Sequence, residues 1–346
     1  MSVSPENPLG LNGFEFVEFT SPDPEAMVAQ FEQLGFVASH RHPTKNITRY
    51  RQGRINLMLN RDADGRVAAF RGAHGASASA MAFRVADPQA ALDWALRHGG
   101  KATDEDDTVI EGIGGSYLYF IRDGEDPYAG WAELPGWREA AAANNVGLDL
   151  LDHLTHNVRR GQMRVWSEFY RTLFNFQEQK YFDIKGQATG LFSQAMIAPD
   201  KAIRIPLNES QDDKSQIEEF IREYQGEGIQ HLALTTEDIY GTVEKLRARG
   251  VRLQDTIETY YELVDKRVPG HGEDLERLRR NRILIDGNVG EEGILLQIFT
   301  ENMFGPIFFE IIQRKGNEGF GNGNFQALFE SIELDQIRRG VISVDG

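Results

Sequence analysis

Phe14-Glu15-Phe16-Val17-Glu18-Phe19 alternates in the manner of a β-strand. Asp23-Pro24 follows it, an N-cap residue before a proline in the first helical turn, and these residues begin a helix. Gly35 ends that helix. Strand, loop, helix and glycine stop form one unit, and this unit decides the fold because the chain repeats it.

The same unit occurs four times. Its opening strand segments are Phe14–Phe19, Met81–Val85, Leu151–His156 and Gln230–Leu234. The matching helix stops are Gly35, Gly99-Gly100, Asn175 and Gly250. Further alternating segments behind the helices are Ile55–Leu59, Tyr117–Ile121, Ile203–Leu207, Leu295–Phe299 and Ile307–Ile311. Four βαβββ modules, paired two by two, predict an α+β fold with two curved sheets, each around a central cavity.

The two halves meet after Leu134-Pro135-Gly136, and we place the boundary near residue 147. The predicted domains are therefore 1–147 and 148–346. The charged, turn-rich stretch from about Asp255 to Gly293 is interpreted as an insertion in the second domain. Gly316–Gly323 leads into Phe325–Arg339, a predicted amphipathic C-terminal helix that is expected to cover the active site.

Composition excludes several classes of protein. The chain has 346 residues and no cysteine, so it has no disulfide, thiolate nucleophile, iron–sulfur cluster or cysteine-bound zinc. Lys+Arg number 37 against 53 Asp+Glu, a net charge of −16 that argues against nucleic acid or an anionic membrane as a partner. A cytoplasmic protein is expected, since no signal-like N-terminus and no long apolar run occur.

Comparison of the two halves singles out His153, His231 and Glu310 in the second half. The corresponding positions of the first half are apolar: Phe16, a position at or beside Ala80, and Phe120. Two imidazoles and one carboxylate can bind one face of a metal and leave its other positions open. A core histidine or a structural salt bridge would explain any one of them alone, but matched substitution at three positions favours a metal site.

Alternation along the strands indicates which neighbours share the cavity. Gln297 and Phe299 lie on one face, as do Phe308 and Glu310, whereas His156 falls on the face opposite to His153. A metal, aromatic walls and neutral amides suit a flat aromatic ligand with a polar head.

The sequence resembles the 4-hydroxyphenylpyruvate dioxygenases of the vicinal oxygen chelate superfamily, with a glyoxalase-like fold, and the resemblance runs along the whole chain. It rests on the segments LDHLTHNV (151–158), RIPLNE (204–209), GIQHLAL (228–234), LLQIFTE (295–301), FFEIIQRKG (308–316) and GFGNGNFQALFESIE (319–333).

The resemblance implies that His153, His231 and Glu310 bind one Fe(II) per chain. It implies three catalytic residues, namely Gln297, Phe299 and Phe325. It also implies a substrate-binding set made of Ser193, Pro206, Asn208, Gln216, Gln230, Phe308, Phe320 and Asn324. The first domain would be metal-free and structural, and would help the chain form a homodimer or homotetramer.

The implied reaction converts 4-hydroxyphenylpyruvate and O2 to homogentisate and CO2 in tyrosine and phenylalanine breakdown. The aromatic 2-oxo acid would take two open metal positions and O2 the third. The alternatives are hydroxymandelate synthase, with the same substrate and metal, an extradiol catechol dioxygenase, and a binding protein of the same superfamily. A catechol dioxygenase would need a basic residue at the metal, and Gln230 and Gln297 are not basic. The binding proteins usually lack the three ligands.

Overall fold

A computed structural model describes residues 3–105, 107–185, 190–324 and 327. Its first sheet contains β1 Phe14–Thr20, β2 Val37–Arg41, β3 Ile47–Gln52, β4 Ile55–Asn60, β5 Ser77–Val85, β6 Lys101–Ala102, β7 Val109–Glu111, β8 Tyr117–Arg122 and β9 Ala132–Glu133. The accompanying helices are α1 Pro24–Gln33, α2 Gly65–His74, α3 Pro88–Arg97 and α4 Trp137–Asn144, with a 3₁₀ turn at Ile113–Gly115.

The second sheet contains β10 Leu148–Val158, β11 Gln177–Lys185, β12 Gly190–Ile197, β13 Arg204–Ser210, β14 Gly228–Thr236, β15 Leu284–Asn288, β16 Gly293–Phe299 and β17 Phe308–Lys315. Its helices are α5 Met163–Phe174, α6 Gln216–Tyr224, α7 Ile239–Ala248, α8 Glu258–Glu262, α9 Val264–Arg267 and α10 Leu275–Asn281.

The two sheets share one topology at their centres. The first has the order β6-β7-β8-β5-β1-β4-β3-β2-β9 and the second β11-β12-β13-β10-β14-β17-β16-β15. The central run β4-β1-β5-β8 therefore matches β13-β10-β14-β17. In the first sheet β1 pairs in parallel with β4, and in the second sheet β10 pairs in parallel with β13. The predicted α+β fold of two repeated sheets is confirmed.

Three of the four repeats begin their helix in the same way. Asp23, Asp87 and Asp238 each accept a hydrogen bond from the backbone N–H three residues later, at 3.1, 3.0 and 3.0 Å. An N-cap of this kind stabilises a helix by about 1 kcal/mol. α5, the helix of the third repeat, has no such cap, and its position depends on burial of Tyr170, Leu173 and Phe174.

Some elements differ from the sequence expectation. β11 and β12 were not predicted, and the stretch 255–293 holds three helices and β15, a strand of the second sheet. The predicted C-terminal helix over 325–339 lies outside the described residues except for Ala327, which is helical. The boundary near residue 147 stays a prediction. Among the described residues, no helix has the length and apolar character needed to cross a bilayer.

Candidate metal centre

His153 on β10, His231 on β14 and Glu310 on β17 converge in the second sheet. One ligand-type atom from each residue lies within 4.8 Å of the other two. The three residues are only 2%, 9% and 2% exposed, and the two imidazole rings lie edge to face with centroids 5.6 Å apart. The adjacent strand order β10-β14-β17 brings them together from positions that are distant in the sequence.

His153 is held from behind by a carboxylate. Its Nδ1 lies 2.8 Å from Oδ2 of Asp152, and Oδ1 of Asp152 accepts a hydrogen bond from Nη1 of Arg204 at 3.3 Å. Asp152 is 3% exposed, so the Arg204 guanidinium supplies the charge that a buried carboxylate needs. With Nδ1 engaged in this way, Nε2 is the nitrogen that His153 would present to a metal.

His231 is oriented by two polar neighbours and one ring. Gln230 Oε1 lies 3.0 Å from its Nδ1, and the Thr155 hydroxyl lies 3.0 Å from its Nε2. Phe308 stacks on the imidazole, with centroids 4.8 Å apart and planes inclined by 21°. Each histidine is therefore contacted at Nδ1 by the side chain that precedes it in the chain.

Glu310 accepts a hydrogen bond from an amide. Gln297 on β16 donates from Nε2 to Oε1 of Glu310 at 2.9 Å and is itself 3% exposed. Phe299 is the direct β16 partner of Glu310, which places Gln297, Phe299 and Glu310 on one face of the sheet. Asn324 Nδ2 donates to Gln297 Oε1 at 2.8 Å, so Gln297 lies between Asn324 and the carboxylate.

The predicted substrate residues divide into two groups. Ser193 on β12 is directly opposite Asn208 on β13, and Pro206 lies two residues before Asn208 on the same face. Asn208 pairs in turn with Asn157 on β10, which shares the face of His153 because the two are four residues apart. These side chains therefore lie on the sheet face that carries the candidate centre.

The other predicted residues have different surroundings. Gln216 is exposed at the first position of α6, and no hydrogen bond of its side chain is seen among the described residues. Phe320 is half-buried, with the Arg314 guanidinium 5.9 Å from its ring centroid. Phe325 lies outside the described residues.

Asn157 lies on the face of the candidate centre and was missed by the sequence analysis. It is fully buried, and neither its Oδ1 nor its Nδ2 has a hydrogen-bond partner in the described structure. Alternation from His153 along β10 would have found it. His156, by contrast, lies on the opposite face, where its Nε2 is 2.6 Å from the Tyr170 hydroxyl and burial lowers its pKa to about 3.

The first sheet shows that the match of Glu310 to Phe120, made from the sequence, is wrong by one residue. Phe16 pairs with Ala82, and Ala82 with Tyr119, so these three form the row across the centre of that sheet. Phe16 and Tyr119 line a cavity of about 210 Å³. Phe120, the residue matched to Glu310, is buried on the other face against Phe174. Tyr119 is thus the residue of the first sheet that corresponds to Glu310.

The donor set fits a divalent metal ion. Two imidazole nitrogens and one carboxylate oxygen are a common set for divalent transition metals with open positions, and all three groups are buried where an unpaired charge would be costly. Contacts to Asp152, Gln230 and Gln297 supply the outer hydrogen bonds that metal ligands normally have.

Two family models match parts of both halves of the chain. A family model described as hydroxyphenylpyruvate dioxygenase, N-terminal, matches residues 5–129. A second, described as the glyoxalase/bleomycin resistance protein/dioxygenase superfamily, matches residues 150–263.

Individual relatives extend the match along the chain. The 4-hydroxyphenylpyruvate dioxygenase of Pseudomonas aeruginosa is 55% identical, covering 98% of both chains. The protein of the same name from Legionella pneumophila (strain Corby) is 50% identical, covering 97% of this chain and 98% of that one. The structure of a 4-hydroxymandelate synthase mutant from Streptomyces coelicolor matches with a TM-score of 0.81 at 27% identity, covering 95% of this chain and all of that one.

Proposed function

The chain belongs to the 4-hydroxyphenylpyruvate dioxygenase family, and from this premise we propose that it converts 4-hydroxyphenylpyruvate and O2 to homogentisate and CO2. The observation that carries the proposal is identity of 50–55% over nearly the full length of relatives with that name. The buried cluster of His153, His231 and Glu310 also supports it, because these three groups could hold the metal that the reaction needs.

Hydroxymandelate synthase is the second candidate, because it would use the same substrate and metal and differ only in the carbon that is hydroxylated. The hydroxymandelate synthase from Streptomyces coelicolor is 27% identical to this chain, whereas the Pseudomonas aeruginosa dioxygenase is 55% identical. An extradiol catechol dioxygenase is less well supported, since the polar side chains beside the histidine and glutamate ligands include the amides Gln230 and Gln297, which cannot serve as bases.

We propose Fe(II) as the metal, bound once per chain. When bound, it would supply open coordination positions for the 2-oxo acid and O2, together with the electrons that activate O2. The protein would keep the ligands in place: Asp152 and Gln230 orient the imidazoles, and the Gln297 amide holds Glu310 by donating to it.

The same residues would also shape the substrate pocket. The Phe308 ring on His231 and the neighbouring Phe299 give the aromatic walls against which a flat ring can pack. Ser193, Asn208 and the unpartnered amide of Asn157 offer hydrogen bonds on the same sheet face, which suit a phenol hydroxyl. Burial excludes bulk water from the reacting groups.

A product assay tests the function. The protein, loaded with Fe(II) and ascorbate, is given 4-hydroxyphenylpyruvate in air, and the product is identified by mass and chromatography. Homogentisate is expected. His153→Ala and Glu310→Ala should reduce turnover by about 100-fold or more, since even outer-shell changes at metal sites cost 10–100-fold. His98→Ala, at an exposed position on the first domain, is the control and should leave turnover unchanged.

Each other product points elsewhere. Hydroxymandelate would assign the chain to the second candidate while keeping the metal site, and turnover of catechols alone would assign it to the third.

Several expectations from the sequence stay predictions. They are the roles of Gln216, Phe320 and Phe325, homodimer or homotetramer formation, the cytoplasmic location, and the place in tyrosine and phenylalanine breakdown.

A further inference from the structure

A continuous run of hydrogen bonds leads from the stretch interpreted as an insertion to Glu310. Arg267, the last residue of α9, donates from Nη1 to Asn324 Oδ1 at 3.1 Å and from Nη2 to the Tyr260 hydroxyl at 2.7 Å. Asn324 then donates to Gln297 at 2.8 Å, and Gln297 to Glu310 at 2.9 Å. Tyr260, Asn324, Gln297 and Glu310 are all at most 3% exposed.

The chemistry of its two ends gives this run a direction. A guanidinium can only donate hydrogen bonds, and an ionised carboxylate can only accept them. Arg267 therefore fixes Asn324 with Oδ1 towards itself, which leaves Nδ2 to face Gln297. Gln297 must then accept with Oε1, so its Nε2 is directed at the carboxylate of Glu310. Neither amide can turn over while both ends are in place.

The arginine end is fixed by the backbone around it. Arg267 Nη2 also donates to the carbonyl of Ile285 on β15 at 2.9 Å, and the Ile285 N–H donates to the Tyr260 hydroxyl at 2.9 Å. The next residue, Asp286, accepts from the Gly323 N–H at 2.8 Å, beside Asn324. The start of the C-terminal segment is thus held by side chains of α8, α9 and β15.

We propose that Arg267 is a positioning residue for the metal centre: it sets the orientation of the Asn324 and Gln297 amides, and so directs a hydrogen-bond donor at Glu310. The inference rests on the proposed metal site. The Tyr260 hydroxyl also donates to Asn324 Oδ1, at 2.7 Å. Without Arg267, this hydroxyl can donate to the Ile285 carbonyl at 3.1 Å and accept from Asn324 instead, so both amides can turn. Gln297 would then present an oxygen to an ionised carboxylate, and Glu310 would have to move or lose affinity for the metal.

Binding of Co(II) to the metal-free protein, measured by calorimetry and by the d–d absorption of the bound ion, tests this directly. Arg267→Met removes the donors at similar length, and Asn324→Asp keeps the shape but cannot donate to Gln297. Both variants are expected to bind Co(II) about tenfold more weakly with an altered spectrum, and Arg267→Lys should recover part of the affinity. Arg252→Met is the matched control, because Arg252 is exposed and pairs with Glu301.

The outcomes separate this inference from the proposed function. Unchanged Co(II) affinity and spectrum in Arg267→Met and Asn324→Asp would overturn it, even if the wild type makes homogentisate. A wild type that binds no Co(II) would overturn the metal site and the inference together. A weakened, spectrally altered site would support the inference whatever the product. If Arg267→Met does not fold by circular dichroism, Asn324→Asp decides, since its new carboxylate still pairs with Arg267.

Discussion

At the scale of single residues, the Nδ1 contacts of the two histidines are where metal affinity should be most sensitive outside the ligands themselves. Asp152 is buried between His153 and Arg204 and has an acceptor role that asparagine can only partly keep. A carboxylate on Nδ1 raises the basicity of the imidazole and fixes its ring orientation. Asp152 thus orients a metal ligand. From the sequence alone it could not be told apart from an ordinary buried polar residue.

Asp152→Asn is expected to weaken Co(II) or Fe(II) binding by about 10–100-fold while leaving the fold intact, because the amide removes the negative charge but keeps the volume. Titration calorimetry on the metal-free protein measures the change. Asp149→Asn is the control on the same strand, since Asp149 forms an exposed salt bridge with Arg54. Equal metal affinity in both variants would show that Asp152 has only a structural role.

The sequence predicted the three convergent residues because strand alternation and the internal repeat need only residue types. It missed the Asp152 contact and matched Glu310 to Phe120 instead of Tyr119. Both errors arise because the sequence does not give the actual strand geometry and pairing register, which decide where a side chain points. Adjacent strand residues point to opposite faces in an ideal strand, yet the Asp152 and His153 side chains meet at 2.8 Å. A one-residue slip in the match between halves moves a residue to the other face, and only the pairing register of β5 and β8 resolves it.

At the scale of elements, repeated strands with an apolar face were predictable, and polar edge strands were not. β11 reads Gln-Glu-Gln-Lys-Tyr-Phe-Asp-Ile-Lys and lies at the edge of the second sheet, where both faces tolerate polar side chains. β15 is short and follows a charged helix, α10, so its five residues look like part of a loop. Its antiparallel pairing with the next strand, β16, from Asn288 opposite Gly293 to Leu284 opposite Gln297, makes it a strand.

The segment after β17 approaches the site so closely that one position requires glycine. Gly321 has φ +71°, and a Cβ there would lie 1.5 Å from Oε1 of Gln297. Gly270 is the matched control, with φ +73° and nothing within 4 Å of the corresponding Cβ. Both positions carry the same left-handed strain, about 1–2 kcal/mol for a non-glycine residue. A side chain at position 321 would therefore meet Gln297, whereas one at position 270 would meet nothing.

Gly321→Ala is expected to weaken Co(II) binding by about tenfold or more, because Gln297 must leave its place between Asn324 and Glu310. Gly270→Ala should lower the free energy of unfolding by about 1–2 kcal/mol and leave Co(II) affinity unchanged. Urea unfolding and calorimetry measure the two quantities separately. If Gly321→Ala loses stability but keeps wild-type metal affinity, this segment does not control the position of Gln297.

At the scale of the whole molecule, two effects of acid oppose each other. The net charge of −16 at pH 7 falls towards zero near the isoelectric point of about 5.0, which relieves self-repulsion and favours the compact state. His156 acts in the other direction. Its folded pKa is about 3 against 6.5 for an unperturbed histidine, because burial beside Tyr170 disfavours the charged form.

The sign follows from proton binding. Between pH 6.5 and 3 the unfolded chain binds a proton at His156 that the folded chain does not, so stability falls as the pH drops through this window. The loss is about 1.4 kcal/mol per pH unit, or about 2 kcal/mol at pH 5. His40 and His42 also have lowered pKa values, caused first by burial, and add to the same trend.

His156→Gln isolates the histidine from the charge effect, because glutamine can still accept from the Tyr170 hydroxyl but does not titrate. We expect the free energy of unfolding of the wild type to drop between pH 7 and pH 5 by about 2 kcal/mol more than that of the variant. Urea unfolding in a chelator and in 0.5 M salt measures this difference, because the chelator removes metal binding and the salt screens the net charge. His98→Gln, at an exposed histidine, should behave as the wild type. A variant that loses as much stability as the wild type on acidification would show that His156 is already protonated in the folded chain at pH 5.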